Sequence, residues 1–160
     1  IHKDKFNIVL GVGSSGPTTK WGISNYSNLI NKLNLENNFY FYLLCGKNES
    51  NVPNEIIDKI VKKNCSSLHN MTIKQLIPIL TSCNMYVGND SFGSHITSQS
   101  GIKSIVILLD SPRAYTDYSK NFCRIIPRGF DIDKITHGSN ADPNLVLVED
   151  VIKNINRLKN

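Results

Sequence analysis

The residues best suited to chemistry stand in one short run, Gly88-Asn89-Asp90-Ser91-Phe92-Gly93-Ser94-His95. It follows an apolar triplet, Met85-Tyr86-Val87, that reads as a buried strand. Asn89, Asp90 and Ser91 are all good N-cap residues, so a helix is expected to open here. The free N–H groups and positive dipole end of such a helix bind phosphate or carboxylate. Asp90 and His95, five residues apart around that helix start, then face one ligand. The plainer alternative is a capped helix start carrying a solvated histidine.

A second candidate lies near the start of the chain. Gly11-Val12-Gly13-Ser14-Ser15-Gly16 directly follows an apolar run and matches G-x-G-x-x-G. In a dinucleotide-binding turn the helix opens within the glycines. Here Pro17, Thr18, Thr19, Lys20, Trp21 and Gly22 delay it. The acidic residue expected at the end of the next strand is also missing, since Glu36 precedes that strand and Glu49 follows it. What remains is a loop rich in backbone N–H and hydroxyl groups, Ser14 and Ser15 among them, with Lys20 behind it. Such a loop wraps a phosphate. Three further loops carry polar groups or a distinctive side chain: Cys45-Gly46-Lys47-Asn48-Glu49, the segment His69-Asn70-Met71, and Asp110 to Tyr115 with Arg113.

These loops need strands and helices to hold them. Continuous apolar runs predict strands over 6–10, 39–44, 66–68, 85–87, 104–109 and 122–126. Helices are expected from Ser24 as N-cap to about residue 35, and from Pro53 with Ile56, Ile57, Ile60 and Val61 inward. A third follows the Thr72/Gln75 capping box to about Ser82, bent by Pro78, and a fourth runs from Ser91 to about Ser100, ended by Gly101. A terminal helix is expected to be capped by Asp142-Pro143. Strict alternation of strand and helix means an α/β fold with a parallel sheet and helices on both faces. Ligands in such folds bind beyond the carboxyl ends of the strands, where all five loops fall. The loop after residue 109, with Arg113, Tyr115 and Tyr118, is expected to line the side where a second substrate enters.

With 160 residues there is room for one domain, residues 1–160. Eighteen Lys and Arg against 13 Asp and Glu give +5, which favours anionic ligands. The basic residues are dispersed and have no interleaved aromatic stripe, so no nucleic-acid partner is expected. Cys45, Cys65, Cys83 and Cys123 lack metal-ligand or redox spacing and read as reduced thiols of a cytoplasmic protein. No apolar run reaches the roughly 18 residues of a membrane span, and no signal peptide is seen. The chain begins without Met, which leads to the expectation of a fragment or processed piece.

The order Gly13-Ser14-Ser15…Lys20-Trp21, Cys45-Gly46-Lys47-Asn48-Glu49, Met71-Thr72 and Gly88-Asn89-Asp90-Ser91…His95 resembles the carboxyl-terminal half of family 9 glycosyltransferases. These are the bacterial ADP-heptose:lipopolysaccharide heptosyltransferases and their relatives. The resemblance covers roughly residues 6–126. It implies a Rossmann-like half of a GT-B fold that holds a nucleotide-sugar donor, ADP-heptose or another. Ser14 and Ser15 look like the hydroxyl pair at the donor phosphates and Lys20 like the phosphate-neutralising lysine. Glu49 resembles the ribose-contacting carboxylate and Met71 the residue beside adenine. Asp90, Ser91, Gly93 and His95 look like the phosphate and sugar end, with Lys20, Asp90 and His95 as the catalytic set. The resemblance implies no cofactor and no metal. It further implies a glycan or lipopolysaccharide-core acceptor, an amino-terminal domain outside this chain that supplies acceptor and general base, and peripheral contact with the cytoplasmic face of the inner membrane. Phe92 departs from the family, which has Gly directly after Asp-Ser/Thr. It either obstructs the backbone's approach to the diphosphate or turns into the core. Three rival readings are a nicotinamide-dependent Rossmann enzyme, a non-catalytic nucleotide-binding module, and a GT-B transferase using UDP-, GDP- or CDP-sugars.

Overall fold

The structure, a computed structural model, describes residues 1–36 and 38–159. Six apolar runs form strands β1 (Phe6–Gly11), β2 (Phe39–Leu44), β3 (Cys65–Ser67), β4 (Met85–Asn89), β5 (Lys103–Ile107) and β6 (Phe122–Ile125). They pair in parallel in the order β3-β2-β1-β4-β5-β6, as expected for strands buried on both faces. Among the described residues five helices cover the sheet: α1 (Ile23–Leu33), α2 (Asn51–Lys59), α3 (Ile73–Ser82), α4 (Phe92–Gln99) and α5 (Val148–Lys159). On one face Tyr26, Leu29 and Ile30 of α1, Ile56 of α2 and Val151 and Ile155 of α5 pack on Ile8, Phe41 and Val87. On the other, Leu76 and Leu80 of α3 pack on Val9, Tyr42, Tyr86 and Val106. This is a Rossmann-like α/β domain.

The chain order reverses between β1 and β4, and the crevice at such a switch point is where doubly wound sheets bind ligands. Two glycines make the reversal tight. Gly11 and Gly88 stand opposite one another. A Cβ on Gly88 would lie 2.5–2.7 Å from the Gly11 backbone, closer than side-chain carbons approach. The ends of both strands are thereby pressed together, and the two loops that leave them are neighbours.

Several boundaries differ from those read in the sequence. The cap of α1 is Gly22, at φ +99°, and not Ser24. The chain must turn sharply there after burying Trp21, and glycine alone does so without strain. Pro53 is the third residue of α2, where a missing N–H is still harmless. Because α2 ends at Lys59, Val61 lies outside it and is 89% exposed instead of inward. Asp142 caps a 3₁₀ turn, Pro143–Leu145, through Asn144 N–H, and α5 opens only at Val148. The capping box at Thr72 and Gln75, the proline within α3, and Gly101 beyond α4 are as read.

All four thiols are free; Cys83 is buried and the other three half-buried. Burial pushes the Cys83 thiol up to about 12 and that of Cys45 to about 11, so neither is a ready nucleophile. Among the described residues no helix is long and apolar enough to cross a membrane.

Candidate functional site

The organising side chain is Asn89, the last residue of β4, which has no exposed surface. Its Oδ1 accepts from Trp21 N–H at 2.9 Å and from the Tyr26 hydroxyl at 3.1 Å. Its Nδ2 donates to the carbonyls of Val12 and Gly13 at 3.2 and 3.3 Å. One amide therefore ties the β4 end to the whole β1–α1 loop. Trp21 is held from its other end by Val146 O, 2.9 Å from its indole nitrogen. The Lys20-Trp21 and Asn89-Asp90-Ser91 elements, far apart in sequence, are thus one assembly.

On that frame the β1–α1 loop runs extended past Gly13, where a Cβ would meet the Glu49 carboxylate and the Cys45 backbone. Glu49 Oε1 accepts from Ser14 N–H at 3.3 Å and lies 2.5 Å from Lys20 Nζ. Its Oε2 accepts from Gly46 N–H at 3.3 Å. Ser14 Oγ bonds Thr19 Oγ1 at 2.5 Å. The helix after the glycines opens only at Ile23, with a 3₁₀ turn over Pro17–Thr19 between, so the loop does not form a dinucleotide-binding turn.

These loops enclose one cavity of about 1030 Å³ at the carboxyl edge of the sheet. Ser14, Ser15, Lys20, Glu49, Met71, Asp90, Ser91 and Gly93 all line it. Ser91 is the N-cap of α4, so that helix aims its free N–H groups at the cavity. His95 is not in the lining; its Nε2 stands 3.2 Å from Asp90 Oδ1. The Asp90 side chain is only 6% exposed, and among the described residues no donor meets Oδ1 in hydrogen-bonding geometry, His95 included. Phe92 lines the cavity and is 43% exposed, so it does not turn into the core. Gly93, one residue on, takes the buried position instead.

His69, whose Nδ1 is 2.7 Å from Ser67 Oγ, and Thr72 line the cavity beside Met71. The sequence reading passed over Leu44, Ile73 and Leu76, which complete that side. Their types are those of ordinary core residues, which carry no signal of a site. Asp110 and Arg113 do not join the cavity. Asp110 accepts from Thr18 Oγ1 at 2.5 Å and from Ser139 N–H at 2.7 Å, tying loops together. Arg113 pairs with Asp117 and Asp133, and Tyr115 with His137. Tyr118 joins the site indirectly, its hydroxyl 2.5 Å from His95 Nδ1.

The Thr18 hydroxyl first, then backbone N–H groups around Gly138 to Asn140, hold the Asp110 carboxyl below the usual carboxylate range. A depressed folded-state pKa stabilises above the unfolded value and is lost as pH falls through the folded one. Asp110→Asn is therefore expected to lower stability at neutral pH, with the gap to wild type closing on acidification. Urea unfolding across that range checks this.

A profile of glycosyltransferase family 9 (heptosyltransferase) matches residues 1–122. The chain belongs to glycosyltransferase family 9. A comparison with curated proteins returns no match. Among solved structures the fold superposes on ADP-heptose LPS heptosyltransferase II of E. coli with a TM-score of 0.81 at 19% identity, covering 99% of this chain and 47% of that one. A family 9 glycosyltransferase of Veillonella parvula gives 0.80 at 16% identity, with 99% and 47% covered. The E. coli heptosyltransferase WaaC gives 0.78 at 16%, with 99% and 46% covered. These are GT-B glycosyltransferase folds. The family 9 chain described here spans about half the length of the structures it matches.

Proposed function

We propose that this chain is the donor-binding domain of a family 9 glycosyltransferase that transfers a sugar, heptose from ADP-heptose or a related nucleotide-sugar, to a lipopolysaccharide core or related glycan. One observation carries the reading: the cavity at the β1/β4 reversal is lined both by polar groups, Lys20, Ser14, Ser15, Glu49 and the α4 N-terminus, and by apolar side chains, Leu44, Met71, Ile73 and Leu76. Lys20, Ser14, Ser15 and the α4 N-terminus face a diphosphate. Leu44, Met71, Ile73 and Leu76 face a base, and Glu49 stands between them as the ribose contact. The E. coli WaaC structure is of that enzyme with ADP, which supports ADP as the nucleotide to try first.

Glycosyl transfer leaves a nucleoside diphosphate and makes the sugar oxocarbenium-like. Negative charge grows on the leaving oxygen, and Lys20 together with the α4 N–H groups is placed to stabilise it in the transition state. In this reading those groups do the neutralising work that a divalent cation does elsewhere, and no metal or cofactor is needed. The unpartnered Asp90 Oδ1 accepts a sugar hydroxyl, with His95 beside it. An amino-terminal domain binds the acceptor and supplies the general base, and the complete enzyme works at the cytoplasmic face of the inner membrane. These 160 residues alone are therefore expected to bind donor without transferring sugar.

Calorimetric titration with ADP, UDP, GDP, CDP, NADH and ADP-heptose tests this. The expected result is selective ADP binding, tighter still for ADP-heptose. Asp90→Ala is expected to remove that extra margin, about tenfold. Preference for another nucleoside diphosphate would change the donor; binding of NADH alone would overturn the reading, as would sugar transfer by the isolated chain for the domain assignment.

A further inference from the structure

Phe92 opens α4 and Ile73 opens α3, two neighbouring helices on the same face of the sheet. Both are large and apolar, both line the cavity, and both are exposed, Ile73 at 61%. Leu44, Leu76 and Met71, which pack in one cluster, line the same cavity. Helix α4 is not free to roll Phe92 inward. A Cβ on Gly93 would run into Leu44 and lie 2.9 Å from the Tyr86 ring, and the Tyr86 hydroxyl is itself fixed on Asn89 O at 2.7 Å. The first turn of α4 is thus seated against the strand ends, and Phe92 is left facing the cavity. An aromatic ring held in that way gains by covering a flat apolar partner.

Resting on the donor-site reading above, we infer that Phe92 is a donor-binding residue that stacks on the base of the nucleoside diphosphate. The side chain that replaces the family's glycine is then a contact and not an obstruction. The diphosphate is met by the N–H groups of the α4 start and by Lys20, and the base lies over Leu44, Leu76 and Met71 with Phe92 closing its open side.

The test uses Phe92→Ala, Phe92→Gly and Phe92→Tyr, titrated with ADP and with inorganic pyrophosphate, which has no base. Truncation of a base-stacking aromatic is expected to weaken ADP about tenfold. Phe92→Tyr keeps the wild-type affinity, and pyrophosphate binding is unchanged throughout. Circular dichroism confirms folding of each variant. ADP bound equally or more tightly by the Ala and Gly variants overturns the inference, as does an equal loss for pyrophosphate. A wild-type chain that binds neither ADP nor pyrophosphate overturns the donor-site reading itself. That outcome is distinct from a wild type and a Phe92→Ala variant that bind ADP alike.

Discussion

Asn89→Leu is expected to cost about 3–5 kcal/mol of folding stability, a large share of the 5–15 kcal/mol typical of a domain. Leucine has nearly the shape of asparagine, so the loss is one of hydrogen bonding rather than volume. Three groups lose their partner, Trp21 N–H and the Val12 and Gly13 carbonyls, and the Tyr26 hydroxyl loses the longer of its two acceptors. Tyr26 keeps a second partner in Gly11 O at 2.8 Å, which limits its share. An unsatisfied buried group costs about 1–3 kcal/mol, and neighbouring losses do not add fully. Urea unfolding, followed by far-ultraviolet circular dichroism, gives the number. A change below about 1 kcal/mol would mean that the β1–α1 loop is held by something other than Asn89.

Lys20→Ala is expected to lower ADP affinity about 100-fold while changing stability by less than about 1 kcal/mol. The asymmetry follows from what the ammonium touches. It pairs with Glu49 at 2.5 Å, both side chains partly exposed to water, and such pairs stabilise little. Against a diphosphate in the cavity it supplies the one cationic side chain that reaches from the β1–α1 loop, a charge-assisted contact with greater energy. Lys20→Arg is expected to recover part of the affinity, and added salt to weaken wild type more than the Ala variant. Calorimetry on the three proteins measures this. Unchanged ADP affinity in Lys20→Ala would remove the phosphate role from Lys20.

The sheet was readable because parallel strands buried on both faces are continuous apolar runs, as in Phe39 to Leu44 and Ser104 to Leu109. The convergence of loops on one rim followed from alternation alone, and most of the residues singled out there do share a cavity. What escaped was set by contacts distant in sequence. Asn89 looked like one of three interchangeable caps; its role depends on Trp21 and Tyr26, more than sixty residues earlier. Gly22 was hidden because its positive φ is imposed by the burial of Trp21 beside it. Asp110 resembled a site residue by its place at a strand end, yet Thr18 and Ser139 engage both its oxygens. The burial of Gly93 in place of a side chain, which leaves Phe92 outward, depends on the position of Tyr86 beneath it.

The central claim is that the cavity between the β1 and β4 loops holds a nucleoside diphosphate. The most direct measurement is an amide ¹H–¹⁵N correlation spectrum of the chain titrated with ADP. The account predicts that shifts concentrate at Gly13 to Ser15, Lys20, Gly46 to Glu49, Met71 and Ser91 to Gly93, with the amino-terminal edge of the sheet unmoved. Shifts elsewhere, centred on the Arg113–Asp133 recess or on α5, would contradict it, as would a spectrum that ADP leaves unchanged.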